Sequence, residues 1–217
     1  MKPDPEASAS QIESIMTIGP VIPVMVIEHL DDAVPLARAL VNGGLKVLEI
    51  TLRTACALDA ITKIKNNVPD AIVGAGTILT PKDLNLAISA GSEFLVSPGY
   101  TPSLIEAALS EDVPILPGVA TPSEAMQLAE YGISHMKFFP AEAAGGIKML
   151  QSIGSPLPHL KFCPTGGITA QNAQNYLALN NVLCVGGTWM MQKSQIQQKD
   201  WHGIELLARQ ATSTQYA

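Results

Sequence analysis

The stretch HMKFFPAE, residues 135–142, places a single lysine, Lys137, within an apolar run that ends at Pro140. A short apolar run of this kind predicts a buried strand. Apolar surroundings disfavour the charged form of a lysine, and the neutral amine can attack a carbonyl carbon. The pattern also fits a lysine near a strand end that extends its ammonium group into water. Whether Lys137 is reactive or solvated depends on where the fold places its side chain.

Outward from this stretch, one unit recurs about every twenty to twenty-five residues: a short apolar strand, then a helix opened by Ser, Thr, Asp or Pro. Eight strands are predicted, at Val21–Ile27, Val47–Thr51, Ala71–Ala75, Glu93–Ser97, Val113–Gly118, Ile133–Phe138, Leu160–Pro164 and Val182–Val185. Helices are predicted at Ala33–Val41, from near Cys56, Pro81, Pro102, Pro122, Ala144 and Thr169, and at Asp200–Gln210.

Strict alternation of strands and helices predicts an α/β fold with parallel strands, and eight units favour a closed (β/α)8 TIM barrel. The whole chain, residues 1–217, is expected to form this single domain. Residues 1–8 are expected to be flexible, and Ala9–Ile18 to form a short helix before the first strand. An open doubly wound sheet is the alternative, although no G-x-G-x-x-G turn follows the first strand.

Composition narrows the class of protein. Of the 217 residues, 47% are hydrophobic and 15% charged, which fits parallel strands buried on both faces. A net charge of -6 argues against a nucleic-acid partner. The sequence has neither an apolar run of about 20 residues nor a signal-peptide pattern, so we expect no membrane partner and a cytoplasmic location. Three cysteines without metal-ligand spacing predict buried apolar residues rather than disulfides or a zinc site.

The second predicted strand, VLEITLR at residues 47–53, alternates in polarity and places Glu49 and Arg53 on one face. In a barrel this face is the interior, because the leucines of the other face pack against helices. The same alternation turns Lys137 inward on the sixth strand, so Lys137 and Glu49 should share the interior. A structural Glu49–Arg53 ion pair is the alternative. His135, deeper on the sixth strand, is expected to be a hydrogen-bonded core residue.

The last two predicted strands each end at a pair of glycines, Gly166-Gly167 and Gly186-Gly187. Barrel enzymes often bind phosphate at the loops after strands seven and eight, where backbone N–H groups face an anion. Two such pairs therefore predict a phosphate site, to which Thr188 would add a hydroxyl. Either pair alone also fits a simple turn.

Together, these motifs resemble the 2-keto-3-deoxy-6-phosphogluconate (KDPG) aldolase / 4-hydroxy-2-oxoglutarate aldolase family over nearly the whole chain. The resemblance rests on EITLRT (49–54), VGAGT (73–77), SPG (97–99), PGVATP (117–122), KFFPAE (137–142), PTGGI (164–168) and VGGTW (185–189), in this order. It implies a class I, Schiff-base (β/α)8 aldolase that splits KDPG into pyruvate and glyceraldehyde 3-phosphate.

The resemblance also implies roles for individual residues. Lys137 matches the Schiff-base lysine and Glu49 the general acid/base. The remaining substrate-binding positions are Arg53 and Thr77 for the carboxylate, Pro98 and Phe139 as pocket walls, and Thr165, Gly166, Gly167, Gly187 and Thr188 toward the phosphate. Many members have serine at position 188, so the threonine leaves the preference of the distal pocket open. The family implies a homotrimer.

Other activities stay open at this point. The same chemistry could act on 2-keto-3-deoxy-6-phosphogalactonate or 4-hydroxy-2-oxoglutarate, and a catalytically idle barrel could simply bind sugar phosphates. Because the iminium takes the place of a Lewis acid, no metal or other cofactor is expected. A metal-dependent class II aldolase would require clustered histidine and carboxylate ligands, which the sequence lacks.

Overall fold

All the strands of the protein run parallel to their neighbours. A computed structural model describes residues 5–213, and every strand pair within this range is parallel. The strands are β1 (Val21–Met25), β2 (Val47–Thr51), β3 (Ile72–Gly76), β4 (Phe94–Val96), β5 (Ile115–Leu116), β6 (Gly118–Val119), β7 (His135–Phe138), β8 (Lys161–Pro164) and β9 (Val185–Gly187). The predicted α/β fold with parallel strands is therefore confirmed.

The described strands form two sheets rather than the one continuous eight-stranded sheet that we predicted. Six strands pair in the order β5-β4-β3-β2-β1-β9, and three pair in the order β6-β7-β8. The predicted strand Val113–Gly118 is divided between β5 and β6 at Pro117. Proline has no N–H to donate to a ladder, so the strand is interrupted there. Isolated parallel bridges, one of them Thr165–Gly186, link the β8 and β9 segments.

Helices connect the strands and in most cases begin where the sequence predicts. They are α1 (Pro5–Met16), α2 (Ala33–Asn42), α3 (Ala57–Asn67), α4 (Pro81–Ser89), α5 (Pro102–Ala108), α6 (Pro122–Glu130), α7 (Gly146–Gly154), α8 (Ala173–Leu177), α9 (Lys193–Gln197) and α10 (Trp201–Thr212). Thr80, Thr101 and Thr121 cap α4, α5 and α6 through their hydroxyl groups, and each of these helices begins at a proline. Between residues 5 and 213 we find no helix with the length and apolarity needed to cross a membrane.

Several predicted boundaries are wrong. The first helix begins at Pro5 rather than Ala9, and residues 1–4 lie outside the described range. The expected flexibility of residues 1–8 stays a prediction. Two helices begin later than predicted, α7 after the left-handed Gly145 and α8 after the turn that Thr169 and Asn172 close with reciprocal hydrogen bonds. The short helix α9 was not predicted. Strand β9 lies at 185–187 rather than 182–185.

Two apolar clusters hold the strands in place. The larger one contains Leu48 and Ile50 and packs the outer face of the strands against the helices. The second, which we call the inner apolar cluster, consists of Ile12, Met16, Ile22, Val47, Phe94, Val96, Leu116, Cys163 and Cys184. Helix α1 contributes two of its members. The two buried cysteines behave as predicted, whereas Cys56 is half-buried and donates from Sγ to the carbonyl of Ile27 at 3.2 Å.

Candidate active site

Lys137 lies on β7, the central strand of the three-stranded sheet, and its side chain is buried. The residue is 6% exposed, and its Nζ lies 3.3 Å from Oε1 of Glu49. Glu49 is 3% exposed on β2, which belongs to the other sheet. An ammonium group held in bulk water would require far greater exposure, so the solvated alternative does not fit. The structure therefore brings the predicted nucleophile and the predicted acid/base into direct contact.

The Glu49 carboxylate depends on a glycine of the neighbouring strand β3. A Cβ atom on Gly76 would lie 2.1 Å from Glu49 Oε1, far inside van der Waals contact. Register pairs Thr51 with Gly76 and Glu49 with Gly74, so both glycines of β3 border the same stretch of β2. The VGAGT motif thus provides the space in which the Glu49 side chain reaches Lys137.

Arg53 follows β2 and contacts Thr51 rather than Glu49. Arg53 is exposed, and its Nε donates a hydrogen bond to Thr51 Oγ1 at 3.2 Å. The Thr51 hydroxyl in turn donates to the carbonyl of Met25 at 2.8 Å. No Glu49–Arg53 ion pair is present among the described residues, and Glu49 pairs with Lys137 instead. The guanidinium is held by Nε, which leaves its two terminal nitrogens for a ligand.

Thr77, Pro98 and Phe139 follow three different strands. Thr77 has a left-handed backbone, with φ at 62°, which is rare for a β-branched residue and typically reflects local strain. Pro98 packs its carbonyl so closely on Gly118 that a Cβ there would lie 2.2 Å away. The ring of Phe139 is centred 5.4 Å from Lys137 Nζ, within cation–π range. Phe139 therefore contacts the lysine directly.

The Gly166-Gly167 turn after β8 has the geometry of an anion cradle. Both glycines are left-handed, with φ at 101° and 80°. Glu142 N–H donates to the Gly166 carbonyl at 3.1 Å, and Asn172 Nδ2 donates to the Gly167 carbonyl at 3.1 Å. Within residues 5–213 the N–H groups of the two glycines donate no hydrogen bond. The turn thus has satisfied carbonyls and free donors. Its neighbour Thr165 is buried at the end of β8.

The second glycine pair is not a turn, which corrects our prediction. Gly186 and Gly187 lie in β9 and pair with Ile22 and Pro23 of β1. They are glycines because bulky neighbours occupy the space of their side chains: a Cβ on Gly187 would lie 1.9 Å from the Trp189 ring. Thr188 follows β9 and is exposed. The bridge between Thr165 and Gly186 keeps this segment beside the β8 turn.

Comparison with known proteins identifies the family. Residues 12–207 match the KDPG and KHG aldolase family, where KHG is 4-hydroxy-2-oxoglutarate. The chain belongs to this aldolase family. Among curated relatives, the KHG/KDPG aldolase of Escherichia coli (strain K12) is 51% identical over 92% of this chain and 93% of its own length. The resemblance predicted from the sequence is confirmed.

Two solved structures of aldolases are similar to this chain along almost their whole lengths. The KDPG aldolase of Legionella pneumophila, with pyruvate captured as a covalent carbinolamine, has a TM-score of 0.91 at 46% identity and covers 92% of this chain and 97% of its own. The enzyme of Zymomonas mobilis ZM4 with 3-phosphoglycerate has a TM-score of 0.92 at 46% identity, covering 96% and 98%.

A cavity of about 550 Å³ lies beside Thr188 in this aldolase-family chain. Its lining combines Leu36 and Met191 with charged residues that follow β1 and β9, including Glu28 and Lys193. Lys137 and Glu49 are not among the lining residues. The cavity therefore borders the predicted distal end of the site rather than its reacting centre.

Sequence reasoning assigned no role to Glu142 and did not consider Tyr176. Tyr176, on α8, is fully buried and donates a hydrogen bond from its hydroxyl to Glu142 Oε1. Burial and this bond to a carboxylate raise the Tyr176 pKa far above its usual range, so the hydroxyl stays protonated. The two residues are 34 positions apart. The only signal in the sequence was the position of Glu142 within the KFFPAE motif.

His135 lies at the start of β7, toward α1 and away from Glu49. Its Nδ1 lies 3.1 Å from Ser134 Oγ, and its Nε2 lies 3.8 Å from Glu13 Oε2 on α1. Burial lowers the His135 pKa, and Glu13 partly opposes this effect. The expectation of a hydrogen-bonded core histidine agrees with these contacts. Between residues 5 and 213, no three histidine, cysteine or acidic side chains group as a metal site would require.

Proposed function

We propose that this chain is a class I aldolase that reversibly cleaves KDPG to pyruvate and glyceraldehyde 3-phosphate. The single observation that carries the proposal is the buried contact between Lys137 Nζ and Glu49 Oε1, at 3.3 Å. A lysine and a carboxylate are rarely buried unless they are paired or used. The relatives named KHG/KDPG aldolase and KDPG aldolase support the same reaction.

Lys137 supplies the covalent step. Its ammonium proton passes to Glu49, and the neutral amine attacks the C2 carbonyl of the keto acid to form a carbinolamine. Loss of water gives an iminium, into which the electrons of the C3–C4 bond flow when that bond breaks. The C4 carbon leaves as the aldehyde, and the remaining enamine is protonated at C3 and hydrolysed to pyruvate. The captured carbinolamine of the Legionella pneumophila relative supports this sequence of intermediates.

Glu49 moves the protons that these steps require. It assists the departure of water from the carbinolamine, accepts the proton of the C4 hydroxyl and returns a proton to the enamine carbon. Such a group must lie within hydrogen-bond reach of the reacting atoms. Glu49 meets this requirement, because it lies beside the nitrogen that becomes the iminium. Gly76 keeps the space for its carboxylate.

The remaining predicted residues bind the two ends of the substrate. Arg53 is anchored through Nε and offers two terminal nitrogens, the geometry that suits a carboxylate. Thr77 assists it from the end of β3, and Pro98 and Phe139 form apolar walls near the lysine. At the other end, Gly166 and Gly167 offer free N–H groups to the phosphate.

The rest of the phosphate subsite lies on the neighbouring strands. Thr165 and Gly187 lie beside the β8 turn, and Thr188 offers a hydroxyl from the rim of the 550 Å³ cavity. A cavity of this size can receive a phosphorylated three-carbon fragment.

A second substrate has one observation in its favour. The Escherichia coli relative is named for both KHG and KDPG, and KHG carries a carboxylate where KDPG carries its phosphorylated end. The same lysine chemistry would release pyruvate and glyoxylate. Activity on 2-keto-3-deoxy-6-phosphogalactonate stays a weaker alternative. An idle sugar-phosphate binder would gain nothing from burying Lys137 and Glu49 together.

We infer further that the two sheets close into one (β/α)8 barrel. The support comes from backbone hydrogen bonds and bridges that continue past the sheet edges. Phe162 N–H donates to the Asn181 carbonyl at 2.8 Å, and Leu183 N–H donates to the Phe162 carbonyl at 3.2 Å. On the other side only Pro117 separates β5 from β6. The single domain, the homotrimer, the cytoplasmic location and the absence of a cofactor stay predictions.

Borohydride trapping with pyruvate tests the proposed function. Reduction of the iminium leaves a secondary amine, which peptide mass spectrometry should locate on Lys137. Lys137→Met should abolish both the adduct and KDPG cleavage, with turnover falling by about 10⁵-fold or more. The matched control is Lys148→Met, which removes an exposed lysine of α7 and should retain both. An adduct on another lysine, or none in the unaltered protein, would overturn the mechanism.

A further inference from the structure

The loop after β7 and the turn after β8 are joined along their backbones. Ala141 N–H donates to the Thr165 carbonyl at 2.8 Å, and Glu142 N–H donates to the Gly166 carbonyl at 3.1 Å. The first loop also carries Phe139, which contacts Lys137. The segment that presents the lysine side of the site is therefore continuous with the segment that presents the glycine N–H groups. Movement of either loop would displace the other.

The side chain of Glu142 also links the loop after β7 to the turn after β8. Its Cγ lies where a side chain on Gly167 would be, because a Cβ there would come within 2.6 Å. Its Oε1 accepts the hydroxyl hydrogen bond of Tyr176, a fully buried residue of α8. Gly146 also leaves space for this contact, since a Cβ on it would lie 2.9 Å from the Tyr176 oxygen. Three elements therefore converge on one carboxylate.

The loop after β7 holds the turn from its carbonyl side. Ala141 N–H and Glu142 N–H take the carbonyls of Thr165 and Gly166, and the stem of Glu142 packs against Gly167. Each carbonyl lies in one rigid peptide plane with the N–H of the following residue. The bonds to the Thr165 and Gly166 carbonyls therefore fix the direction of the Gly166 and Gly167 N–H groups. A donor set that needs no reorganisation loses less free energy when an anion binds.

We propose that Glu142 and Tyr176 are positioning residues that fix the Gly166-Gly167 turn in its phosphate-binding conformation. They set the affinity for the phosphorylated end of the substrate and leave the Schiff-base step unchanged. This inference rests on the proposed function, because the turn is assigned to the substrate phosphate there. Glu142 acts through the turn and is not expected to contact the substrate.

The test compares Glu142→Ala and Tyr176→Phe with the unaltered protein in three measurements. These are binding of 3-phosphoglycerate by calorimetry, the KM and kcat for KDPG, and borohydride trapping of pyruvate, which lacks a phosphate. Both variants should weaken 3-phosphoglycerate binding and raise the KM for KDPG by about tenfold, the effect of one lost hydrogen bond. The kcat and pyruvate trapping should stay within about twofold, because Lys137 and Glu49 are unchanged.

Conservative and distant variants separate positioning from general stability. Glu142→Gln keeps an acceptor and the same stem, so it should bind 3-phosphoglycerate within about threefold of the unaltered protein. Glu106→Ala removes an exposed glutamate of α5, and Tyr131→Phe removes a hydroxyl far along the chain from the turn. Both should behave as the unaltered protein does.

The outcomes for the inference and for the proposed function are distinct. Unchanged 3-phosphoglycerate affinity in Glu142→Ala and Tyr176→Phe would overturn the positioning role, even if KDPG is cleaved. A parallel loss of pyruvate trapping would also overturn it, because the pair would then support the whole site. If the unaltered protein binds 3-phosphoglycerate and the variants do not, but KDPG is not cleaved, the positioning role stands and the proposed function fails.

Discussion

Along β2 the residues of one face change from Val47 at the start of the strand to Glu49 and Thr51 further on, and along β8 they change from Cys163 to Thr165. The first members lie in the inner apolar cluster, which α1 covers. The later ones hold the lysine contact and the turn that we assign to phosphate. Apolar burial at one end therefore stabilises the strands that hold a costly buried charge pair at the other. We call the start of these strands, where the inner apolar cluster lies, the apolar end, and the opposite end, where Lys137 and Glu49 meet, the polar end. Changes at the two ends should have different consequences.

The largest expected effect is on stability, at the apolar end. Phe94→Ala removes a fully buried ring of the inner apolar cluster, against which Gly74 is packed. The free energy of unfolding should fall by about 3–5 kcal/mol, as measured by urea denaturation. Leu206→Ala, at a residue that is 47% exposed on α10, is the matched control and should change little. Lost pyruvate trapping in Phe94→Ala protein that is still folded would contradict the separation of the two ends.

The second effect is on activity, at the polar end. Glu49→Gln should slow KDPG turnover by roughly 100-fold or more, because the amide cannot carry protons between the reacting atoms. The same exchange at the apolar end, Glu13→Gln on α1, should leave kcat close to that of the unaltered enzyme. Steady-state kinetics with coupled detection of pyruvate measures both. Near-normal turnover in Glu49→Gln would assign proton transfer to another group.

A methyl group added beside Glu49 should lower kcat, whereas one added before β1 should not. Gly76→Ala would place its Cβ 2.1 Å from Glu49 Oε1 and displace the carboxylate. A displacement of about 1 Å can cost about 10- to 100-fold in rate, so kcat should fall within that range. Gly19→Ala, before β1, adds the same methyl where no atom lies within 4 Å and should leave kcat unchanged. Equal rates in the two variants would show that the carboxylate does not depend on Gly76.

The smallest effect concerns pH at the apolar end. Burial lowers the His135 pKa, so acidification protonates the unfolded chain before the folded one. The contribution of neutral His135 is complete above the unfolded value of about 6.5 and is lost as the pH falls from there through the folded value. In His135→Gln the free energy of unfolding should therefore decline less steeply between pH 7 and 5. The control His159→Gln removes an exposed imidazole, and an equal change in both slopes would contradict this role of burial.

Local patterns predicted much of the fold. The Thr-Pro pairs fixed the starts of α4, α5 and α6, because capping and the missing proline N–H act within one turn. Alternation along β2 and β7 was enough to predict that Glu49 and Lys137 meet. The family followed from the motifs that carry the resemblance, and the family match confirms it.

Other features depended on contacts between distant residues. Gly186-Gly187 has the composition of a turn but pairs with β1 as a strand, and the Thr165 and Trp189 side chains leave no space there for a Cβ atom. The Glu142–Tyr176 bond joins a loop to a helix, so no spacing pattern could reveal it. The interruption at Pro117, by contrast, had a local signal that the prediction of strand Val113–Gly118 did not use, because a proline within a central strand removes a ladder donor.

The left-handed backbone of Thr77 has a consequence for protein engineering. A β-branched residue at φ 62° costs about 1–3 kcal/mol, which glycine or asparagine at this position would largely avoid. A library selected for heat resistance alone should therefore replace Thr77 early, whereas a library selected for growth on the substrate should keep it. Sequencing codon 77 in both populations would show whether stability or activity maintains the threonine at this position.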